Sequence, residues 1–119
     1  HEQLVGGRPI PGLGLVDMAT TGAGGKAGRL VGDISLQTEL STQPVIGYEN
    51  HAGRTFLGGG LQPFGRVVSS TGHGNNDTDK VDGVLYRNVL GSYLHGPLLG
   101  KNPQVTEALI TRALERRAR

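Results

Sequence analysis

In the segment Val89 to Asn102 (VLGSYLHGPLLGKN), Leu94 closes an apolar run, His95 follows, and Gly96 and Pro97 open a loop. An imidazole anchored at a strand end and turned toward a loop is what a general base requires. The same placement also suits a structural histidine that only hydrogen-bonds its neighbours. Arg29 opens an amphipathic run directly after the turn region of Gly24, Gly25 and Gly28. From spacing alone it reads as a strand-end arginine in solvent. His1, His51, His73 and His95 lie far apart and show no HxxxH or HxxE spacing, so no metal site is expected. The sequence holds no cysteine, which excludes a disulfide frame, a thiolate metal site and thiol catalysis within these residues.

Other polar motifs are weaker. Glu49 and His51 in GYENH stand where packing and turn geometry explain them as well as chemistry does. The carboxylates and amides of His73 to Asp79 depart from the EF-hand spacing, so this stretch reads as a solvated loop or a partner contact. GAGGKAG at Gly22 to Gly28 lacks the GxxxxGK[ST] spacing of a phosphate loop and reads as a flexible loop beside Arg29.

The elements that must position these side chains are short. Leu30, Gly32, Ile34 and Leu36 alternate with Val31, Asp33, Ser35 and Gln37, which predicts a strand over Arg29 to Glu39. Further strands are predicted at Leu13 to Met18, Val45 to Asn50, Arg54 to Leu57, Gly65 to Ser69, Val84 to Tyr86 and Val89 to Leu94, bounded by Gly, Pro or Asn. Thr71 to Asp82 (TGHGNNDTDKVD) is polar and turn-rich and reads as a surface loop. One helix is signalled by Asn102 as N-cap and Pro103 in the first turn, with Val105, Leu109 and Ala113 beside Ile110 and Leu114 forming an apolar face. The 21 glycines among 119 residues, against a typical ~7%, fit many tight turns between strands. The length suits one domain with one core. Many strands followed by one helix would suggest α+β in a complete chain.

Composition excludes several roles. The formal charge of +2 is concentrated at the C-terminus, where Arg112, Arg116, Arg117 and Arg119 face only Glu115. Basic residues there complement a helix dipole, and with three Tyr and two Phe the chain has few rings to stack on bases. No nucleic-acid role is expected. No run approaches the ~18 apolar residues of a membrane span and no signal peptide is evident, so a cytoplasmic location is the default.

Taken together, GRLVGDI at Gly28 to Ile34, GYENHAGRT at Gly47 to Thr55, HGNND at His73 to Asp77 and YLHGPLL with KNP close behind resemble the GatD family, glutaminase subunits of lipid II isoglutaminyl synthase. They resemble more distantly the amidotransferase domain of cobyric acid synthase, another class I (CobB/CobQ-like) glutamine amidotransferase. KNP followed by a short terminal helix favours the first. The resemblance implies an α/β, three-layer class I fold, of which residues 1–119 would be the strand-rich C-terminal half with a terminal helix. It implies that His95 is the catalytic histidine that activates a cysteine thiol and protonates departing ammonia, and that Arg29 holds the glutamine substrate, its guanidinium gripping the α-carboxylate.

It further implies ammonia delivery to a MurT-like, ATP-using Mur ligase partner, which amidates the D-glutamate of lipid II. No organic cofactor is expected in this subunit, with ATP and magnesium on the partner, and no membrane span, although the acceptor is lipid-linked. Two departures stand out. The nucleophile segment, of the type CGGYQ, is expected before Gly6 to Gly14, with HEQLVGG resembling the tail of the helix behind it, so these residues alone are expected to be inactive. Pro97 occupies the place, two residues after the histidine, where many class I enzymes carry an orienting acid. The alternatives are an amidotransferase of cobalamin synthesis and a truncated, non-catalytic interaction module.

Overall fold

The computed structural model describes residues 2–5, 8–22 and 28–119. In chain order these form β1 (Glu2–Val5), β2 (Arg8–Pro11), β3 (Met18–Gly22), β4 (Leu30–Gln37), β5 (Val45–His51), β6 (Gly53–Leu57), β7 (Gly65–Val67), β8 (Val81–Asp82), β9 (Val84–Tyr86), β10 (Val89–Gly91), α1 (Leu98–Lys101) and α2 (Pro103–Ala118). One sheet runs in the order β2-β1-β3-β6, a second β5-β4-β7-β8, and β9 and β10 form a hairpin. The strand-rich architecture with a terminal helix is the one expected of this part of an α/β glutamine amidotransferase. Pairing is antiparallel throughout the described residues except for β1 with β3.

β4 and β5 pair from Leu30↔His51 to Leu36↔Val45. Their alternation puts Leu30, Ile34, Leu36 and Val45 on a buried inner face and Val31, Asp33, Ile46, Tyr48 and Asn50 on an outer one. The inner face packs with Phe64, Val67, Leu85, Leu94 and Val105 into the core. Each side chain of this size removed from water contributes roughly 1.5–3 kcal/mol.

Several expectations are corrected. Leu13 to Met18 is not a strand: Gly14 has a φ of 70°, the chain bends, and β3 begins only at Met18. Leu13 is left 90% exposed. Glu2–Val5, taken as a helix tail, is a strand whose backbone is laddered to β2 on one side and β3 on the other. The strand expected over Val89 to Leu94 stops at Gly91, because side chains take the next donors: Tyr93 N–H donates to Asp82 Oδ1 at 3.3 Å and Leu94 N–H to Ser92 Oγ at 3.0 Å.

The loop Thr71 to Asp82 is not all surface. Asn75 and Asn76 are fully buried, Asn75 exchanging bonds with the Gly83 backbone and Asn76 donating to Thr55 O. Asn102 precedes α2, but its side chain does not cap the helix. It bridges to Ile46, accepting from its N–H at 2.8 Å and donating to its carbonyl at 2.9 Å. On α2 only Val105 is fully buried, and Ile110 and Leu114, expected on the apolar face, are 55% and 60% exposed. They project from the side of the helix opposite Val105 and Leu109. Most of the GAGGKAG stretch, residues 23–27, lies outside the described residues.

Candidate active site

His95 is exposed and is held by its backbone rather than its ring. Its N–H donates to Tyr48 O at 2.7 Å and its carbonyl accepts from Tyr48 N–H at 3.3 Å. This bridge makes His95 a further neighbour of β5, on the edge away from β4. Directly paired residues share a face, so His95 lies with Tyr48 on the outer side while Leu94 is buried beneath Gly47. A Cβ on Gly47 would come 2.8 Å from Leu94 Cγ. Glycine in GYENH is therefore the space that lets the SYLH segment close onto β5. Among the described residues nothing hydrogen-bonds the His95 ring, and Pro97 offers no acid.

Arg29 lies just before β4, also exposed. Its Nε donates to Asn50 Oδ1 at 3.0 Å, and Nη2 donates to Asn50 Oδ1 at 2.7 Å and to Asn50 O at 3.1 Å. One edge of the guanidinium is thus spent on Asn50, and Nη1 has no partner among the described residues. The two-pronged grip expected for a ligand is made on the protein itself, and the other edge of the fork is left open. Asn50 is a residue that sequence reasoning missed. Its parity with Tyr48 on β5 was the signal that could have found it. Strand spacing puts the Cα atoms of Asn50 and His95 on the order of 8 Å apart, two residues along β5 and one strand across.

Beneath this face lies a buried polar cluster. Glu49 Oε1 accepts from His73 N–H at 2.9 Å and faces His73 Nδ1 at 3.1 Å, and Oε2 accepts from Gly74 N–H at 2.8 Å. Burial would raise the Glu49 carboxyl, but the Gly74 and His73 N–H groups and the His73 ring outweigh it and hold it below its usual range. His51 Nδ1 donates to Gly53 O at 2.9 Å, and its buried Nε2 lies 3.5 Å from Glu49 Oε2 without a hydrogen bond. The ring stacks on Tyr93, centroids 3.7 Å apart. The Tyr93 hydroxyl meets Thr55 Oγ1, which in turn meets Thr20 Oγ1.

Asp82, fully buried, accepts from Ser92 Oγ at 2.6 Å and from Tyr93 N–H. Burial pushes its carboxyl up to about 6 despite these bonds. The cluster clasps Ser92 and Tyr93, the residues immediately before Leu94 and His95. Arg54 braces the same loop from outside through Asp77, its Nε 2.7 Å from Oδ2, and reaches the Gly28 carbonyl beside Arg29. The Arg54 contact keeps the Asp77 carboxyl below its usual range. Among the described residues no group of three or more His, Cys, Asp or Glu is placed to hold a metal ion, and no helix is long and apolar enough to cross a membrane.

Residues 2–103 match the family described as the CobB/CobQ-like glutamine amidotransferase domain. Lipid II isoglutaminyl synthase (glutamine-hydrolyzing) subunit GatD of Staphylococcus aureus (strain N315) is 42% identical over 112 residues, covering 93% of this chain and 42% of that protein. The Streptococcus pneumoniae (strain ATCC BAA-255 / R6) subunit of the same name is 40% identical over 111 residues, covering 93% of this chain and 41% of that protein. Cobyric acid synthase of Pelotomaculum thermopropionicum (strain DSM 13744 / JCM 10971 / SI) is 43% identical over 95 residues, covering 73% of this chain and 17% of that protein. The chain spans less than half the length of each of these relatives.

Proposed function

The chain belongs to the CobB/CobQ-like glutamine amidotransferase family, and we propose that the outer face of β5 is the glutamine-handling half of a glutaminase that serves amidation of lipid II. The observation that carries this reading is the sharing of one face by His95 and the Arg29–Asn50 pair. Their separation is one that an extended glutamine, carboxylate at one end and amide at the other, can bridge. Arg29 holds the α-carboxylate through its free edge, and Asn50 keeps the guanidinium aimed.

The 119 residues contain no cysteine, so the thiolate that attacks the amide carbon comes from outside them. As the C–N bond breaks, His95 hands its proton to the departing ammonia, and water then hydrolyses the thioester to glutamate. The ammonia passes to an ATP-using, MurT-like ligase partner that amidates the α-carboxyl of D-glutamate in the lipid II stem peptide. ATP and magnesium belong to that partner, and this subunit needs no organic cofactor. The GatD relatives align with 93% of the chain and the cobyric acid synthase with 73%, which favours the lipid II acceptor. With no orienting group on the His95 ring among the described residues, an acid of the docked ligase fixes its tautomer, so the glutaminase gains rate on docking.

Replacing His95 by Ala in the full protein with its ligase tests this reading. Glutamine-dependent amidation should be lost while amidation from free ammonia persists. Normal glutamine hydrolysis by the His95→Ala protein would sink the assignment.

A further inference from the structure

We propose that the cleft between the C-terminal half of α2 and the β9–β10 hairpin is a docking site for an acidic, amphipathic segment of a second protein. Val105 and Leu109 form a stripe on α2 that packs into or against the core. Arg112 and Arg116 continue that stripe at helical spacing, so the core-facing side of the helix changes from apolar to basic. Opposite them the two-residue hairpin turn presents Arg87. The space between is a cleft of about 500 Å³ with Val89 and Leu109 in its apolar floor. It runs into a second hollow of about 210 Å³ that Arg119 completes.

Four arginines thus line one concavity, and among the described residues Glu115 is the one acidic side chain in its walls. Arg112 has a distant rim contact with Glu39 at 3.8 Å, and exposed pairs of that kind contribute little. The helix dipole accounts for basic residues in the last turn, but not for Arg112 or for Arg87 on another element. Arg87 has the positive φ, 54°, that the first position of a two-residue hairpin turn takes, and its guanidinium lies over the Tyr86 ring at 5.1 Å.

The shape selects the occupant. Arg112 to Arg119 span roughly 10 Å of helix at 1.5 Å per residue, a row that matches acidic side chains repeated along a peptide better than one phosphate. A flat bilayer cannot enter a concave cleft, and Ile110 and Leu114, the exposed apolar side chains a membrane would need, lie on the other side of α2. The apolar floor takes a hydrophobic side chain of the segment while the arginines take its carboxylates.

The test uses the full protein and a synthetic amphipathic peptide with glutamates at i, i+4 spacing beside leucines, its binding followed by fluorescence anisotropy. Inorganic pyrophosphate and phosphatidylglycerol vesicles are the comparison probes. The acidic peptide should bind, and the double variant Arg112→Glu, Arg116→Glu should weaken it about tenfold or more. Arg117→Glu, which removes the same kind of charge outside the cleft, should leave binding nearly unchanged. Equal weakening by Arg117→Glu overturns the proposal, because the attraction would then be non-specific. So does absence of peptide binding, whether or not pyrophosphate or vesicles bind in an Arg112- and Arg116-dependent way.

Discussion

On the inner face of β5, Glu49 and His51 are buried and Glu49 is fully engaged by hydrogen bonds. One residue away on the same strand, Tyr48 and Asn50 face outward and carry His95 and Arg29, whose polar ends keep free donors or acceptors. The difference separates two jobs. The inner face spends its polar groups on the backbone of residues 73–74 and of Gly53 and on stacking His51 against Tyr93, and the outer face is left with groups able to meet a substrate. Substitutions should divide accordingly: inner ones should move stability, outer ones kinetics.

The largest expected effect is on the inner face. Glu49→Gln turns an amide NH₂ toward the N–H donors that Glu49 accepts, and should cost about 3 kcal/mol in urea denaturation at neutral pH. Because the Glu49 carboxyl is held low, its contribution is present above its unfolded pKa and is lost as pH falls through the lower folded value. A Glu49→Gln protein as stable as its parent would show that the cluster does not hold the fold.

Gly47→Ala crosses between the faces. The added methyl meets Leu94 Cγ and Cβ, so it should destabilise by about 1–3 kcal/mol. By shifting His95 it should also lower kcat, by about 10²-fold. A stability loss with full activity would mean that the backbone at His95 is not set by this packing.

Asp82→Asn should act in the opposite sense to Glu49→Gln. A carboxyl raised from 3.8 to about 6 contributes stability at low pH that is lost as pH rises through the folded value. The asparagine removes that loss while retaining bonding capacity toward Ser92 and Tyr93, so stability at pH 8 should rise by about 2 kcal/mol and the slope between pH 4 and 6 should flatten. An unchanged slope would show that Asp82 is not the group responsible.

The smallest effect on stability belongs to the outer face. Arg29→Lys should change it by less than about 0.5 kcal/mol while raising KM more than it lowers kcat, because an ammonium cannot serve Asn50 and a carboxylate with two edges. Unchanged kinetics for both Arg29→Lys and Arg29→Ala would leave Arg29 a solvent-facing residue.

Much of this division was legible in the sequence. Period-two alternation located β4, and the motifs around His95 and Arg29 carried the family resemblance. The same parity, continued from Val45 through Gly47, would have placed Glu49 and His51 inside, but buried charge is rare enough that both read as turn residues. The loop at 71–82 looked solvated because composition does not reveal that Asn75 and Asn76 replace a strand ladder with side-chain amides. Asn102 looked like a cap because capping is its commonest use, whereas its partner Ile46 is distant in sequence. The helix stripe was read as apolar to its end, since periodicity reports a face and not where the core beneath it stops.

The sequence has three tyrosines and no tryptophan, and each phenol ring marks a different region. Tyr93 lies flat on His51 in the buried cluster, Tyr48 pairs with His95, and Tyr86 lies under Arg87 at the edge of the cleft. Within these residues no indole drains their excitation, so ultraviolet emission is a sum of three local reporters. Replacing two of them by phenylalanine leaves a spectrum that reads the cluster, the outer face of β5 or the arginine cleft alone.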